Sequence, residues 1–299
     1  CHMRIQSVNV YEHFGIPTPE ASVGKLTCYL PHITREISTT RKRPAVLVLP
    51  GGGYWFTSER EGEPVALRFA AKGYVAFVLE YSCTPHAFPV ALREACLAMR
   101  YIRENAENWN IDPEQIAVCG FSAGGHLALS SGLLAENKPN AMILGYPAAS
   151  APNFPGADFM LKLLEGRADV TNEDAAKYDL VPQITKDAPP VFLAATAEDM
   201  LTGFGALPIA KKYSDLGRPY ELHIFQFGPH GYALANEVTA DGSCQVLDPA
   251  FAQWQELSVQ WLRKIFGQPV HVDKSTSRMG KLMKEMGLMP EKAPGADFA

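Results

Sequence analysis

Short, continuously apolar runs alternate with stretches whose apolar positions return at helical spacing, and this trade of strand-like for helix-like segments persists along most of the chain. Residues 45–49 (Ala-Val-Leu-Val-Leu) form a run of the kind buried on both faces of a sheet. Residues 62–72 set Val65, Phe69 and Ala70 on one side of a helix that Gly73 stops. A strand over 74–79 follows, then a loop with Pro85 and Pro89, then a long helix over 90–108 carrying Leu92, Cys96, Met99 and Ile102 at helical spacing. The apolar strand Ile116-Ala117-Val118-Cys119 leads into a Gly-rich turn and a helix over 123–135, with Leu127, Leu133 and Leu134 as apolar positions. Strands over 141–146, 191–195 and 220–225 and helices over 206–216 and 249–266 complete the alternation. Two opening strands, 4–10 and 23–30, come before it and predict antiparallel pieces at one edge.

The pattern predicts an α/β architecture on a mostly parallel sheet. Residues 148–188 interrupt it with Pro152, Pro155, Gly156, Gly166 and Pro182 among short helical pieces, which predicts a small cap-like insertion over the sheet. Residues 267–299 form a tail with a short amphipathic helix, bounded by Ser277 and by Gly287 with Pro290 beyond. Met279, Leu282, Met283, Met286 and Met289 fall on or near one face, and Lys281, Lys284 and Glu285 fall away from it. Such a stripe is expected to dock on its own subunit or on a second copy, making a homo-oligomer; a frayed tail, weakened by Gly280, is the alternative.

Length and composition narrow the picture. A chain of 299 residues with 47% hydrophobic and 20% charged residues is ordinary for a globular enzyme, and α/β folds of this length are often one domain. The net charge of −5 leaves no basic footprint for nucleic acid. No apolar run is long enough to cross a membrane, and the first residues lack the pattern of a secretory signal. Cys1-His2-Met3 has the look of a cloning remnant and carries no weight in the fold argument. The six cysteines are scattered, without Cys-x-x-Cys or histidines at metal spacing, so a reduced, cytoplasmic protein is expected, although export after removal of a signal is compatible with the same residues.

The chemistry centres on Gly120-Phe121-Ser122-Ala123-Gly124 between an apolar strand and a helix. This is the context of a nucleophile elbow, a turn so tight that glycines must flank the serine where backbones crowd. The plainer alternative is a serine that only caps a helix. A serine hydroxyl needs a base within hydrogen-bond reach and a third group to orient that base, in the chain order Ser, acid, His. His230 follows the last apolar strand in Gly228-Pro229-His230-Gly231 and fits that order. His86 precedes the serine, His126 lies on the helix after it, and His223 falls within a strand. For the acid, Glu198 and Asp199 compete after the 191–195 strand; Asp199 is favoured because its shorter side chain has fewer rotamers to freeze, leaving Glu198 as a solvated loop charge.

An oxyanion hole needs backbone N–H groups, and Ala123 supplies one. The loop Pro50-Gly51-Gly52-Gly53-Tyr54-Trp55 after the 45–49 strand is the expected source of the others. A phosphate cradle is the alternative, but no Gly-Lys-Ser/Thr follows.

Together with Asp112-Pro113, Gly125-His126 and Thr196-Ala197, these motifs resemble the α/β-hydrolase superfamily over residues 44–266. Within it they resemble the acetyl-esterase and acetyl-xylan-esterase-like branch related to hormone-sensitive lipase. The resemblance implies an α/β-hydrolase domain over 4–266, including the 148–188 insertion, with about eight strands flanked by helices. It also implies Ser122 as nucleophile, His230 as base, Asp199 as acid, and Gly52, Gly53 and Ala123 as oxyanion donors. Two positions depart from the pattern: Pro50 stands where related proteins open His-Gly-Gly-Gly, and Met200-Leu201-Thr202-Gly203-Phe204 replaces a Val-Pro step.

The expected function is a serine esterase that removes acetyl or other small acyl groups from carbohydrate esters such as acetylated xylo-oligosaccharides, without metal or other cofactor. Tyr54 and Trp55 are the substrate-binding candidates, either shortening an acyl pocket or stacking on a sugar, with core or cap packing as the alternative. A general short-chain carboxylesterase or feruloyl esterase competes with this reading. So does a catalytically silent binding protein on the same fold. A peptidase is less favoured because no repeat domain precedes the hydrolase pattern.

Overall fold

A computed structural model describes residues 3–34, 36, 38–150, 156–240, 242, 247–267, 282–283 and 285–288. The chain begins with strand β1 (Arg4–Asn9), a one-turn helix α1 (Val10–His13) and β2 (Lys25–Leu30). The first strand stops one residue earlier than its apolar pattern predicts because the Asn9 side chain accepts from the N–H groups of Tyr11 and Glu12 and caps α1. Next come β3 (Arg43–Leu49), α2 (Glu63–Ala71), β4 (Val75–Glu80), α3 (Val90–Glu104), β5 (Ile111–Phe121), α4 (Ala123–Leu134) and β6 (Ala141–Gly145). The remaining elements are α5 (Ala157–Glu165), α6 (Asn172–Tyr178), β7 (Val191–Thr196), α7 (Ala206–Asp215), β8 (Tyr220–Phe225) and α8 (Trp254–Phe266).

The eight strands form one sheet in the order β1-β2-β4-β3-β5-β6-β7-β8. Pairing is antiparallel on both sides of β2 and parallel between all later neighbours, so β2 alone runs against the rest. Of the two opening strands, β1 is the sheet edge and β2 lies one place in. Helices flank the sheet: α3 packs against α4, and α2 is joined to α8 by the ion pair Lys72–Glu256. The strand β5 is longer than its apolar core suggests, because Ile111 pairs with Arg43 ahead of an irregularity, after which the regular ladder resumes at Ile116 opposite Ala45.

Because β3 and β5 through β8 are parallel, the segments leaving them emerge at one edge of the sheet, where open α/β folds gather their functional loops. Those segments carry Gly51 to Gly53, Ser122, Tyr146, Asp199 and His230. The insertion that follows β6 supplies α5 and α6. It is fastened by Leu180 N–H donating to Ala149, by Phe88 N–H donating to Leu164, and by an ionic cluster in which Lys177 meets Asp174 at 2.9 Å and Arg167 pairs with the same carboxylate.

In the tail, Leu282, Met283, Met286 and Leu288 are exposed. Ser277, Met279, Gly280, Lys281, Lys284, Met289 and Pro290 lie outside the described residues, as do Cys1 and Cys244. Among the described residues, Cys28, Cys83, Cys96 and Cys119 are free thiols, and no helix is long and apolar enough to cross a membrane.

Candidate active site

Ser122 stands between β5 and α4 with φ +52° and ψ −118°, a backbone conformation that a side-chain-bearing residue adopts only when its surroundings impose it. The surroundings do so through both polar groups of its backbone. Its N–H donates to Gly145 and its carbonyl accepts from His126 and Ala148. A Cβ on Gly120 would lie 2.2 Å from the Gly124 carbonyl oxygen, and one on Gly124 would lie 2.1 Å from that of Leu49. The flanking glycines are therefore required by backbone approach, as the motif predicts.

The structure brings Ser122, His230 and Asp199 into one line. His230 Nε2 is 2.7 Å from Ser122 Oγ, and His230 Nδ1 is 2.8 Å from Asp199 Oδ2. A carboxylate can only accept, so Nδ1 carries the proton and Nε2 presents its lone pair to the serine hydroxyl. Asp199 is buried, and its other oxygen accepts from Leu201 N–H at 2.9 Å. The unusual Met200-to-Phe204 loop thus serves the acid, holding Oδ1 while Oδ2 meets His230. Thr202 ties the same loop to the end of β7 through Thr196 O at 2.6 Å.

Glu198 is not merely a solvated loop charge. Its Oε2 accepts from Gly228 N–H at 2.9 Å while Thr196 Oγ1 donates to the Gly228 carbonyl at 2.5 Å, so the loop carrying His230 is held at both backbone groups of one residue.

At the serine end, the N–H groups of Gly52, Gly53 and Ala123 have no hydrogen-bond partner among the described residues. Gly51 N–H is different. It donates to the buried Glu61 carboxylate at 2.7 Å.

A structure of an alpha/beta hydrolase enzyme from a Medee basin deep-sea metagenome library superposes with a TM-score of 0.72 at 35% identity, covering 88% of this chain and 98% of that one. The chain belongs to the α/β-hydrolase superfamily. A family model described as BD-FAE matches residues 29–148 of this hydrolase. It is also 33% identical over 237 residues to an acetylxylan esterase of Xylanibacter ruminicola, covering 74% of this chain and 46% of that protein. It is 32% identical over 221 residues to endo-1,4-beta-xylanase B of Butyrivibrio fibrisolvens, covering 66% of this chain and 33% of that protein. The hydrolase therefore spans between a third and a half of the length of these two relatives.

The two aromatic residues expected to meet substrate part ways. Tyr54 is 3% exposed; its hydroxyl lies 2.9 Å from His126 Nδ1 and its ring packs near Tyr81, so it is core rather than a substrate contact. The reason is its positive φ of +62°, a turn in the chain that aims Tyr54 inward. Trp55 is 63% exposed and meets Phe159 of α5 edge-on, with ring centroids 6.1 Å apart. An aromatic pair thus joins the Gly-rich loop to the insertion.

His126 is structural. Its Nε2 faces the Tyr178 carbonyl at 3.1 Å and so must carry the proton, leaving Nδ1 to accept from Tyr54. Burial lowers its pKa from 6.5 to about 4, against the raising effect of the Tyr178 carbonyl. The described residues hold no group of three or more His, Cys, Asp or Glu side chains placed to bind a metal ion.

Proposed function

We propose that this hydrolase is a serine esterase that removes small acyl groups, acetyl foremost, from carbohydrate esters such as acetylated xylo-oligosaccharides. The observation that carries this reading is the line Asp199–His230–Ser122, with unpartnered backbone N–H groups at its serine end. Ser122 Oγ attacks the ester carbonyl carbon as His230 Nε2 takes the hydroxyl proton, and Asp199 stabilises the imidazolium that results. The oxyanion is met by N–H groups of Gly52, Gly53 and Ala123. Collapse expels the alcohol, which receives the proton from His230, and leaves an acyl-serine. Water, deprotonated by the same imidazole, then releases the acid.

The carbohydrate part of the reading is drawn from the acetylxylan esterase of Xylanibacter ruminicola. The exposed Trp55–Phe159 pair offers a face on which a sugar ring could stack. It equally suits a flat aromatic acyl group, so a feruloyl ester is the second reading. Hydrolysis of acetylated xylo-oligosaccharides compared with methyl ferulate decides between them: faster acetate release supports the first, faster ferulate release the second. No hydrolysis of p-nitrophenyl acetate by the wild-type protein would leave it a binding protein on a hydrolase fold.

A further inference from the structure

Glu61 follows the Gly-rich loop, in a single 3-10 turn over Glu59–Glu61, and is 4% exposed. A carboxylate taken out of water is strongly destabilising unless donors surround it. No ion pair reaches it among the described residues, and the guanidinium of the adjacent Arg60 is turned to the Thr239 carbonyl at 2.7 Å. Two donors satisfy it instead. Gly51 N–H donates to Oε2 at 2.7 Å, and the Tyr146 hydroxyl donates to Oε1 at 2.6 Å.

The two donors come from the two halves of the site. Gly51 opens the oxyanion loop, and its carbonyl is held as well, by Ser58 N–H at 2.9 Å. Tyr146 follows β6, and its hydroxyl oxygen accepts from Ala233 N–H at 2.8 Å, three residues past His230. The Ala233 carbonyl accepts in turn from Trp254 Nε1 at 2.9 Å. The Tyr146 ring also lies edge-on to the His230 imidazole, with centroids 5.1 Å apart. One carboxylate therefore fixes the entry to the oxyanion loop and, through one hydroxyl, the loop that carries the base.

We propose that Glu61 is a positioning residue for the esterase reaction, coupling the oxyanion loop through Gly51 to the histidine loop through Tyr146 and Ala233. The proposal rests on the serine-esterase reading. Both of its partners donate to it, which suits the ionised carboxylate. Burial pushes its pKa up, while the Tyr146 and Gly51 donors and the positive charge of a protonated His230 pull it down.

The test uses p-nitrophenyl acetate with the full chain, the wild type and Ser122→Ala serving as controls. Glu61→Gln replaces one acceptor oxygen by a donor of the same size, so either the Gly51 N–H is opposed or the Tyr146 hydroxyl loses the acceptor for its proton. The expected result is a fall in kcat of about 10- to 100-fold with KM within about threefold, because the chemistry and not the binding of a small ester depends on loop placement. For proteins that retain Ser122, rates are referred to the fraction that a fluorophosphonate titrates, so misfolded material does not count; Ser122→Ala is referred to total folded protein. Tyr146→Phe removes the Ala233 bridge but leaves Gly51 on the carboxylate, and it carries the test if Glu61→Gln fails to fold. It should lower kcat in the same way. In the double variant the losses should not multiply, because both changes break one connection. Single variants within threefold of wild-type kcat, or losses that multiply, would overturn the coupling. If wild type is inactive, or Ser122→Ala retains its rate, the esterase reading itself fails.

Discussion

His230 Nε2 reaches Ser122 Oγ at 2.7 Å across 108 residues of sequence, because β5 and β8 end at the same edge of a parallel sheet. The pairing is one of function only if neither partner works alone. Ser122→Ala and His230→Ala should each lower ester hydrolysis by at least about three orders of magnitude, since such groups act as a unit. Melting should be little changed, because both side chains are partly solvent-facing. A Ser122→Ala protein that kept a tenth of wild-type turnover would remove the serine from the mechanism.

Between the adjacent carboxylates, Asp199→Asn should be the more damaging change. It places an amide opposite the Nδ1 proton and favours the wrong imidazole tautomer, a loss of about four orders of magnitude in a comparable arrangement. Glu198→Gln retains an acceptor for Gly228 N–H and loses only charge assistance, so a drop within about tenfold is expected. Steady-state kinetics of the two variants settle the ranking. The reverse order would transfer the acid role to Glu198.

Acyl length is the next handle. With Tyr54 buried, any shortening of the pocket from the Gly-rich loop falls to Trp55, backed by Phe159. Turnover of p-nitrophenyl esters should therefore decline from acetyl to butyryl and beyond, and Trp55→Ala should flatten that decline. A wild-type preference for octanoyl esters would point to a long, lipase-like groove instead.

Much of this site was legible in the residues themselves. An elbow serine announces itself because strand, turn and helix are contiguous, and the β7 and β8 loops each offered few side chains able to act as acid or base. Glu61 was not legible. It lies among Glu59, Arg60 and Glu63, a charged run that reads as solvated, and the groups that hold it come from residues 51 and 146, brought together only by the sheet order. The inward turn of Tyr54 was hidden for a different reason, since a positive φ at a non-glycine residue leaves no trace in apolar periodicity. Glu198 was hidden for a third reason: its side chain is exposed, yet its partner is a backbone N–H that sequence patterns do not display.

The buried His126 makes stability depend on pH in a direction that can be worked out. Its folded-state pKa of about 4 lies below the 6.5 of an unfolded histidine, so the unfolded chain takes up a proton first as the pH is lowered. Its contribution is intact above about pH 6.5 and is lost progressively until about pH 4, a total of about 3 kcal/mol. Glu61 and Glu94 oppose this trend, because burial raises their pKa and lets the folded state take up their protons first. Comparison of wild type with His126→Gln cancels those groups, which both proteins share. Glutamine retains a donor for the Tyr178 carbonyl but does not titrate. Urea unfolding at several pH values should show wild-type stability falling relative to His126→Gln by about 3 kcal/mol between pH 6.5 and 4. A stability difference that stayed constant across that range would mean that His126 is either charged in the folded protein or already solvated, and that the Tyr54–His126–Tyr178 connection does not hold it neutral.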